Sequence, residues 1–151
     1  MTAAATVTRA DGKPVPPPAP EPSEVQRWSR VADEEELLDD ALIYFGRVPQ
    51  SPAGPEAGHA RTPAMEATDW FDIYKALECL IDRFDGGHPK EFLKRDWAPA
   101  AEVCRLRETA NSFRHSRRRP SHKPPENPMG FKEARELLGQ LLRRAIKEAA
   151  K

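Results

Sequence analysis

The 151-residue sequence lacks any long apolar run. A membrane-spanning helix needs about 20 consecutive, mostly apolar residues, so we expect no membrane association. The first residues, MTAAATVTRADGKP, lack the apolar centre of a secretory signal peptide. Only two cysteines, Cys79 and Cys104, are present, and they form no CxxC motif. We therefore expect a cytoplasmic protein with reduced thiols.

Several catalytic and cofactor-binding motifs are also missing. The sequence contains no GxxxxGK[ST], GxGxxG, HExxH or GxSxG, which argues against a P-loop nucleotidase, a Rossmann enzyme, a zinc protease and an α/β-hydrolase. The four histidines have no spacing typical of metal ligands, either with one another or with the cysteines. We therefore expect neither a metal site nor a cofactor.

Proline is abundant, and charge is unevenly distributed. The 16 prolines fall mostly outside the segments with helical periodicity, so we predict a disordered Pro-rich arm over 1–27 and a flexible loop over 48–67. The remainder, 28–151, is predicted to be one domain. Residues 1–85 carry 8 basic and 16 acidic residues, whereas 86–151 carry 16 and 8. The basic half is therefore a candidate for contact with an anionic partner.

Helical periodicity organises the rest of the chain. Apolar residues recur at intervals of three and four over 33–45, 69–85, 99–119 and 131–149. Asp33 and Asp69 are predicted to cap the first two helices, and 69–85 is predicted to be central because its apolar stripe is the widest. No segment alternates in the manner of a strand. The pattern predicts an all-α fold, an antiparallel four-helix bundle.

A polar stripe lies beside the apolar stripe of the 99–119 helix. With about 100° per residue, Arg107, Asn111 and Arg114 lie along one edge, and His115 lies at its border. One interpretation is a binding or catalytic groove. The other is a solvated basic face near a helix C-terminus, where the helix dipole favours cations.

The sequence resembles the HEPN superfamily, whose members are small helical bundles with a polar Arg/Asn/His group on an internal helix. The segments DALIYFGR, WFDIYKALE, ANSFRHS and PPENPMGFKEA also resemble a family of uncharacterised bacterial proteins. That resemblance covers about 110 of the 151 residues. The resemblance to the HEPN superfamily implies a homodimeric module of toxin–antitoxin or phage-defence systems. Many HEPN domains are metal-independent endoribonucleases.

The resemblance also implies roles for individual residues. The HEPN signature has four to six residues between Arg and His, whereas seven residues separate Arg107 from His115 here. In such an enzyme an RNA 2′-hydroxyl attacks the next phosphate, His115 moves a proton, and Arg107 or Arg114 holds the phosphate. Asn111 would orient the 2′-hydroxyl or the imidazole. The following basic residues would bind RNA: Arg117, Arg118, Arg119 and Lys123.

A second class of function is equally consistent with these residues. Asn111 and His115 would then form a structural pair that hydrogen-bonds open backbone near the end of the helix. The domain would be a non-catalytic interaction module that dimerises through the 69–85 and 99–116 helices. Its partner would be an antitoxin or another protein.

Overall fold

The computed structural model describes residues 22–50, 63–115 and 125–151. Within those residues every regular element is helical, which confirms the all-α class. The described part contains six helices, whereas four were predicted, so the antiparallel four-helix bundle is not confirmed. They are α1 (Pro22–Glu34), α2 (Glu36–Arg47), α3 (Pro63–Asp85), α4 (Pro89–Leu93), α5 (Ala100–His115) and α6 (Phe131–Ala149).

Two of the predicted irregular segments are shorter than expected. Helix α1 begins at Pro22, inside the predicted arm, and α3 begins at Pro63, inside the predicted loop. Both helices start at a proline, which is suited to a first helical turn because its missing N–H would be unpaired there anyway. The rest of the arm, 1–21, and most of the loop, 51–62, lie outside the described residues.

The helix predicted to begin at Asp33 is instead two helices. The first helix ends at Glu34, and the helical conformation is interrupted at Glu35 before α2 begins. Asp33 lies inside α1 and is therefore not a cap. Glu35 makes no side-chain capping bond; its carboxylate accepts from Arg83, with Nη2 of Arg83 2.6 Å from Oε1. The break thus places a carboxylate where α3 can bind it.

Helix α3 is central, as its apolar pattern predicted. It packs against α2, α4, α5 and α6. Ile73, Ala76 and Leu80 are fully buried, and Leu77 is 1% exposed. Asp69, the predicted cap, lies within the helix and is buried. Helix α3 therefore begins at Pro63, six residues before the predicted cap.

The segment between α3 and α5 turns sharply and is fastened by one arginine. Gly86 and Gly87 have positive φ angles of 57° and 81°, a conformation that glycine adopts at little cost. Arg95 donates to both carboxylate oxygens of Asp85, at 2.8 and 3.2 Å, and to the Phe84 carbonyl at 2.8 Å. The guanidinium also lies 5.5 Å from the ring centroid of Trp97. This segment therefore holds Trp97 against the end of α3.

Helix α6 closes the core, and its observed bounds are those predicted. Its first turn is completed by Glu133, whose Oε2 accepts from the Gly130 N–H at 3.4 Å. Arg105 of α5 donates to the same carboxylate, with Nη1 2.7 Å from Oε1. The buried face is apolar throughout and consists of Ala134, Leu137, Leu138, Leu141, Leu142, Ala145 and Ile146.

Leu77→Ala is expected to lower the free energy of unfolding by about 2–5 kcal/mol, because it removes a buried side chain and leaves a cavity. Chemical denaturation measures this change. Ile43→Ala is the matched control, since Ile43 is 44% exposed, and it should cost much less. Equal losses for the two variants would contradict the central position of α3.

The Glu35–Arg83 ion pair is expected to make stability depend on acidic pH. The hydrogen bond from Arg83 lowers the pKa of Glu35 from its ordinary value of 4.5. A depressed carboxyl pKa stabilises the fold above about pH 4.5, and this contribution is lost as the pH falls through the folded-state pKa.

Glu35→Gln should therefore lower stability by about 0.2–1 kcal/mol at pH 7 and by less near pH 3. Thermal melting across that range measures the difference. Glu34→Gln is the control, because Glu34 is exposed and has no ion pair among the described residues. A difference from wild type that does not change with pH would argue against the pair.

Candidate functional site

Helix α5 is fixed against α3 by its apolar face. Val103, Leu106 and Ala110 are buried, at the three- and four-residue spacing that predicted the helix. Phe113 continues the stripe and stacks on Trp70, with ring centroids 5.0 Å apart and planes 5° from parallel. Because this stripe faces α3, the neighbouring polar stripe lies along the edge where the two helices meet.

Asn111 and Arg114 form one polar unit at that edge. Both are half-buried, and Nη2 of Arg114 donates to Oδ1 of Asn111 at 3.0 Å. The guanidinium lies over the ring of Tyr74, with Cζ 4.1 Å from the centroid. A guanidinium over an aromatic face is stabilised by the ring's negative potential. Arg114 is therefore held in place by two neighbours.

Tyr74 is the phenol beneath this unit and is only 7% exposed. Burial raises the pKa of Tyr74, and the carboxylate of Glu78 raises it further, while the charges of Arg114 and Arg107 oppose the shift. The phenol is therefore protonated at neutral pH and can donate a hydrogen bond, but it cannot serve as a base. Glu78 is itself paired with Lys75, 2.7 Å from Nζ to Oε2.

Arg107 differs from Arg114 in being exposed. Its charge acts on Tyr74, so it lies near the same edge. No carboxylate of the described residues lies within ion-pair distance of it. Its guanidinium is thus available to bind an anion in two parallel hydrogen bonds.

The structure brings together two of the predicted site residues, Asn111 and Arg114, and Arg107 lies about one helical turn before Asn111 on the same helix. His115 is the last residue of α5, and its side chain is outside the described part of the structure. The four predicted RNA-binding residues, Arg117, Arg118, Arg119 and Lys123, also lie outside them.

Two residues that hold the site were not identified from the sequence. Thr109 is fully buried, and its hydroxyl accepts from the Met129 N–H at 3.0 Å. Arg105 reaches across to Glu133 and donates to the Asn127 carbonyl at 3.0 Å. Together they attach the segment before α6 to α5. Nothing in the local pattern of either residue indicates this role, because both partners are at least 20 residues away.

The side chains typical of metal ligands form no metal site in the described part. Over 22–50, 63–115 and 125–151, no cluster of three or more His, Cys, Asp or Glu could hold a metal ion. Cys79 and Cys104 are both free thiols. None of the helices in these ranges is both long and apolar enough to cross a membrane.

Comparison of the chain with protein-family models, with curated proteins and with solved structures found no match. The site is therefore interpreted from its own chemistry. It offers an exposed guanidinium, a second guanidinium fixed over a phenol, and an amide whose oxygen is occupied but whose NH₂ can donate. All of these groups are donors, so the edge is suited to an anion.

Thr109→Val is expected to cost about 1–3 kcal/mol in unfolding free energy, because an isosteric methyl leaves the Met129 N–H buried and unpaired. Ser112→Ala is the matched control: its hydroxyl, also buried, donates only to the Thr109 carbonyl within the same helix, at 2.8 Å. Denaturation of the two variants measures the difference. If Ser112→Ala cost as much as Thr109→Val, the bond to Met129 would have no special role.

Proposed function

We propose that this chain is a HEPN-like helical module that binds RNA through the edge of α5. The observation that carries the proposal is Arg107, an exposed guanidinium with no carboxylate within ion-pair distance in the described part, beside the Arg114–Tyr74 unit. A phosphate bound there would receive two hydrogen bonds from Arg107 and would feel the positive charge of Arg114. The two guanidinium groups favour a phosphate over a cationic or apolar ligand.

The proposed chemistry, where cleavage occurs, uses the residue that follows Arg114. His115 would move the proton of an attacking 2′-hydroxyl, since an imidazole titrates near neutral pH. Arg107 would stabilise charge on the phosphate as it develops. Asn111 is assigned a different role from the one expected, because its oxygen is bonded to Arg114; it positions that guanidinium. The resemblance to HEPN proteins suggests a homodimer in a toxin–antitoxin or phage-defence setting.

A non-catalytic interaction module is the second candidate. The Asn111–Arg114 bond and the contact of Arg114 with Tyr74 support it, because these groups already satisfy one another within the fold. Exposed apolar side chains on α2 and α3 also support it: Ile43 at 44% and Phe71 at 37%. The ligand would then be a partner protein such as an antitoxin, or a second copy of the chain.

Arg107→Gln is expected to weaken binding of the full-length protein to a labelled single-stranded RNA of twelve nucleotides. Loss of one phosphate contact should reduce the slope of log affinity against log salt by about 0.7. Arg30→Gln is the matched control, because Arg30 is exposed on α1 and its replacement removes the same charge. Fluorescence anisotropy across a salt series measures both. Binding that ignores salt, or identical slopes for the two variants, would reject the RNA proposal.

The same proteins distinguish cleavage from binding alone. If the wild-type chain cleaves RNA in the presence of a chelator, His115→Ala should reduce the rate by on the order of 10²–10⁴ without changing the melting temperature. A wild type that neither cleaves nor binds RNA, with a destabilised His115→Ala variant, would favour the interaction module.

A further inference from the structure

A second region rich in cations lies away from the α5 edge. A cleft of about 290 Å³ opens between α6 and the segment that follows α4. Trp97 contacts Phe84 of α3, whereas Arg114 contacts Tyr74. These two α3 positions are separated by about 15 Å of helix. The cleft is therefore distinct from the edge assigned above, and its residues are Trp97, Gln140, Arg143, Arg144 and Lys147.

The α6 residues of this cleft form a single polar stripe. Gln140, Arg143, Arg144 and Lys147 are spaced by three, one and three residues, and all four are exposed. They lie on the side of α6 opposite its buried leucines, so packing does not explain their identity. Like charges three and four residues apart on a helix repel one another. The stripe therefore concentrates positive charge at one place.

That charge is not neutralised by the surrounding described residues. Nearby, Arg95 is paired with Asp85 at 2.8 Å, and Lys151 with Glu148 at 2.7 Å. Arg143, Arg144 and Lys147 have no carboxylate within 4 Å in the same part of the chain. The helix dipole favours cations near the end of α6, but it does not require an aromatic wall opposite them. Cations without an ion-pair partner that face an aromatic ring are typical of a site for an anion that carries a flat ring.

Trp97 is a fixed wall and not a mobile surface ring. It makes edge-to-face contacts with Phe84 and Phe92, with centroids 4.9 and 5.5 Å away. Arg95, held by Asp85, lies 5.5 Å from its centroid. Because these neighbours fix the indole, a ligand that stacks on it loses little entropy in ordering it. Bases of every kind stack on such rings.

We propose that this cleft binds a nucleotide, with the base against Trp97 and the phosphate against Arg143, Arg144 and Lys147. Gln140 can both donate to and accept from the sugar or base. The volume is near the lower end of the range for small-molecule pockets, which suits one nucleotide. The nucleotide is either free or the 5′-terminal residue of an RNA strand. This site does not depend on the RNA contact proposed for Arg107.

The test is a titration of the ¹⁵N-labelled full-length chain, followed through the indole N–H resonance of Trp97. Trp97→Phe identifies that resonance among the three tryptophans. The probes are adenosine 5′-monophosphate, adenosine, inorganic phosphate and a 5′-phosphorylated eight-nucleotide RNA. The nucleotide should shift the resonance with saturation, and adenosine should not. Phosphate should bind at least about fivefold more weakly than the nucleotide, because it lacks the stacked base.

Replacing the three cations tests the phosphate contact. The triple variant Arg143→Gln, Arg144→Gln, Lys147→Gln should weaken nucleotide binding by at least about tenfold. The control triple Arg27→Gln, Arg30→Gln, Lys132→Gln removes the same charge from exposed positions on α1 and α6 and should bind as wild type does. Equal weakening in both triples, or equal affinity for phosphate and nucleotide, would overturn the proposal.

The two sources of nucleotide give different results, and each supports the site. Tighter binding of the free nucleotide than of the RNA identifies a mononucleotide ligand, and the reverse identifies an RNA end. Arg107→Gln should leave the Trp97 shift produced by adenosine 5′-monophosphate unchanged. A Trp97 resonance that does not respond to any probe overturns the inference, whether or not Arg107→Gln weakens RNA binding elsewhere.

Discussion

Burial of helix α3 is the constraint on which the other elements depend. Its apolar side chains face α2, α5 and α6 together, so none of these helices can move without exposing part of the same core. Both candidate sites are built on it. Tyr74 lies beneath Arg114, and Phe84 contacts Trp97, so α3 sets the positions of both. The two candidate sites thus lie along one buried helix, the first beside its middle and the second beside its C-terminal end.

Elements with a strong apolar period were predictable from the sequence. The bounds of α6 were predicted because seven buried positions recur at helical spacing and Gly130 precedes them. The division of α1 from α2 was not predictable. The break places Glu35 against Arg83, 48 residues away along the chain, and a contact over that distance leaves no local mark in the sequence. Pro22 and Pro63 were read as parts of irregular segments, although each begins a helix.

The same distinction applies to the candidate site. The adjacency of Asn111 and Arg114 follows from their three-residue spacing, and their hydrogen bond agrees with it. The position of Tyr74 under Arg114 was not predictable, because it depends on how α5 crosses α3. The role of Thr109 could not be predicted from the sequence, since its partner, the Met129 N–H, lies 20 residues away along the chain. Spacing along one helix is readable from sequence, whereas contacts between helices are not.

Glu133 connects the start of α6 with its docking. The one carboxylate accepts from the Gly130 N–H and from Arg105 of α5, so it serves as helix cap and as tether. The first turn of α6 is therefore best satisfied when α5 is already in place. One side chain therefore links the start of α6 with its attachment to α5. Fraying at the start of α6 would correspondingly release the segment that Thr109 holds, which makes this corner a single cooperative unit.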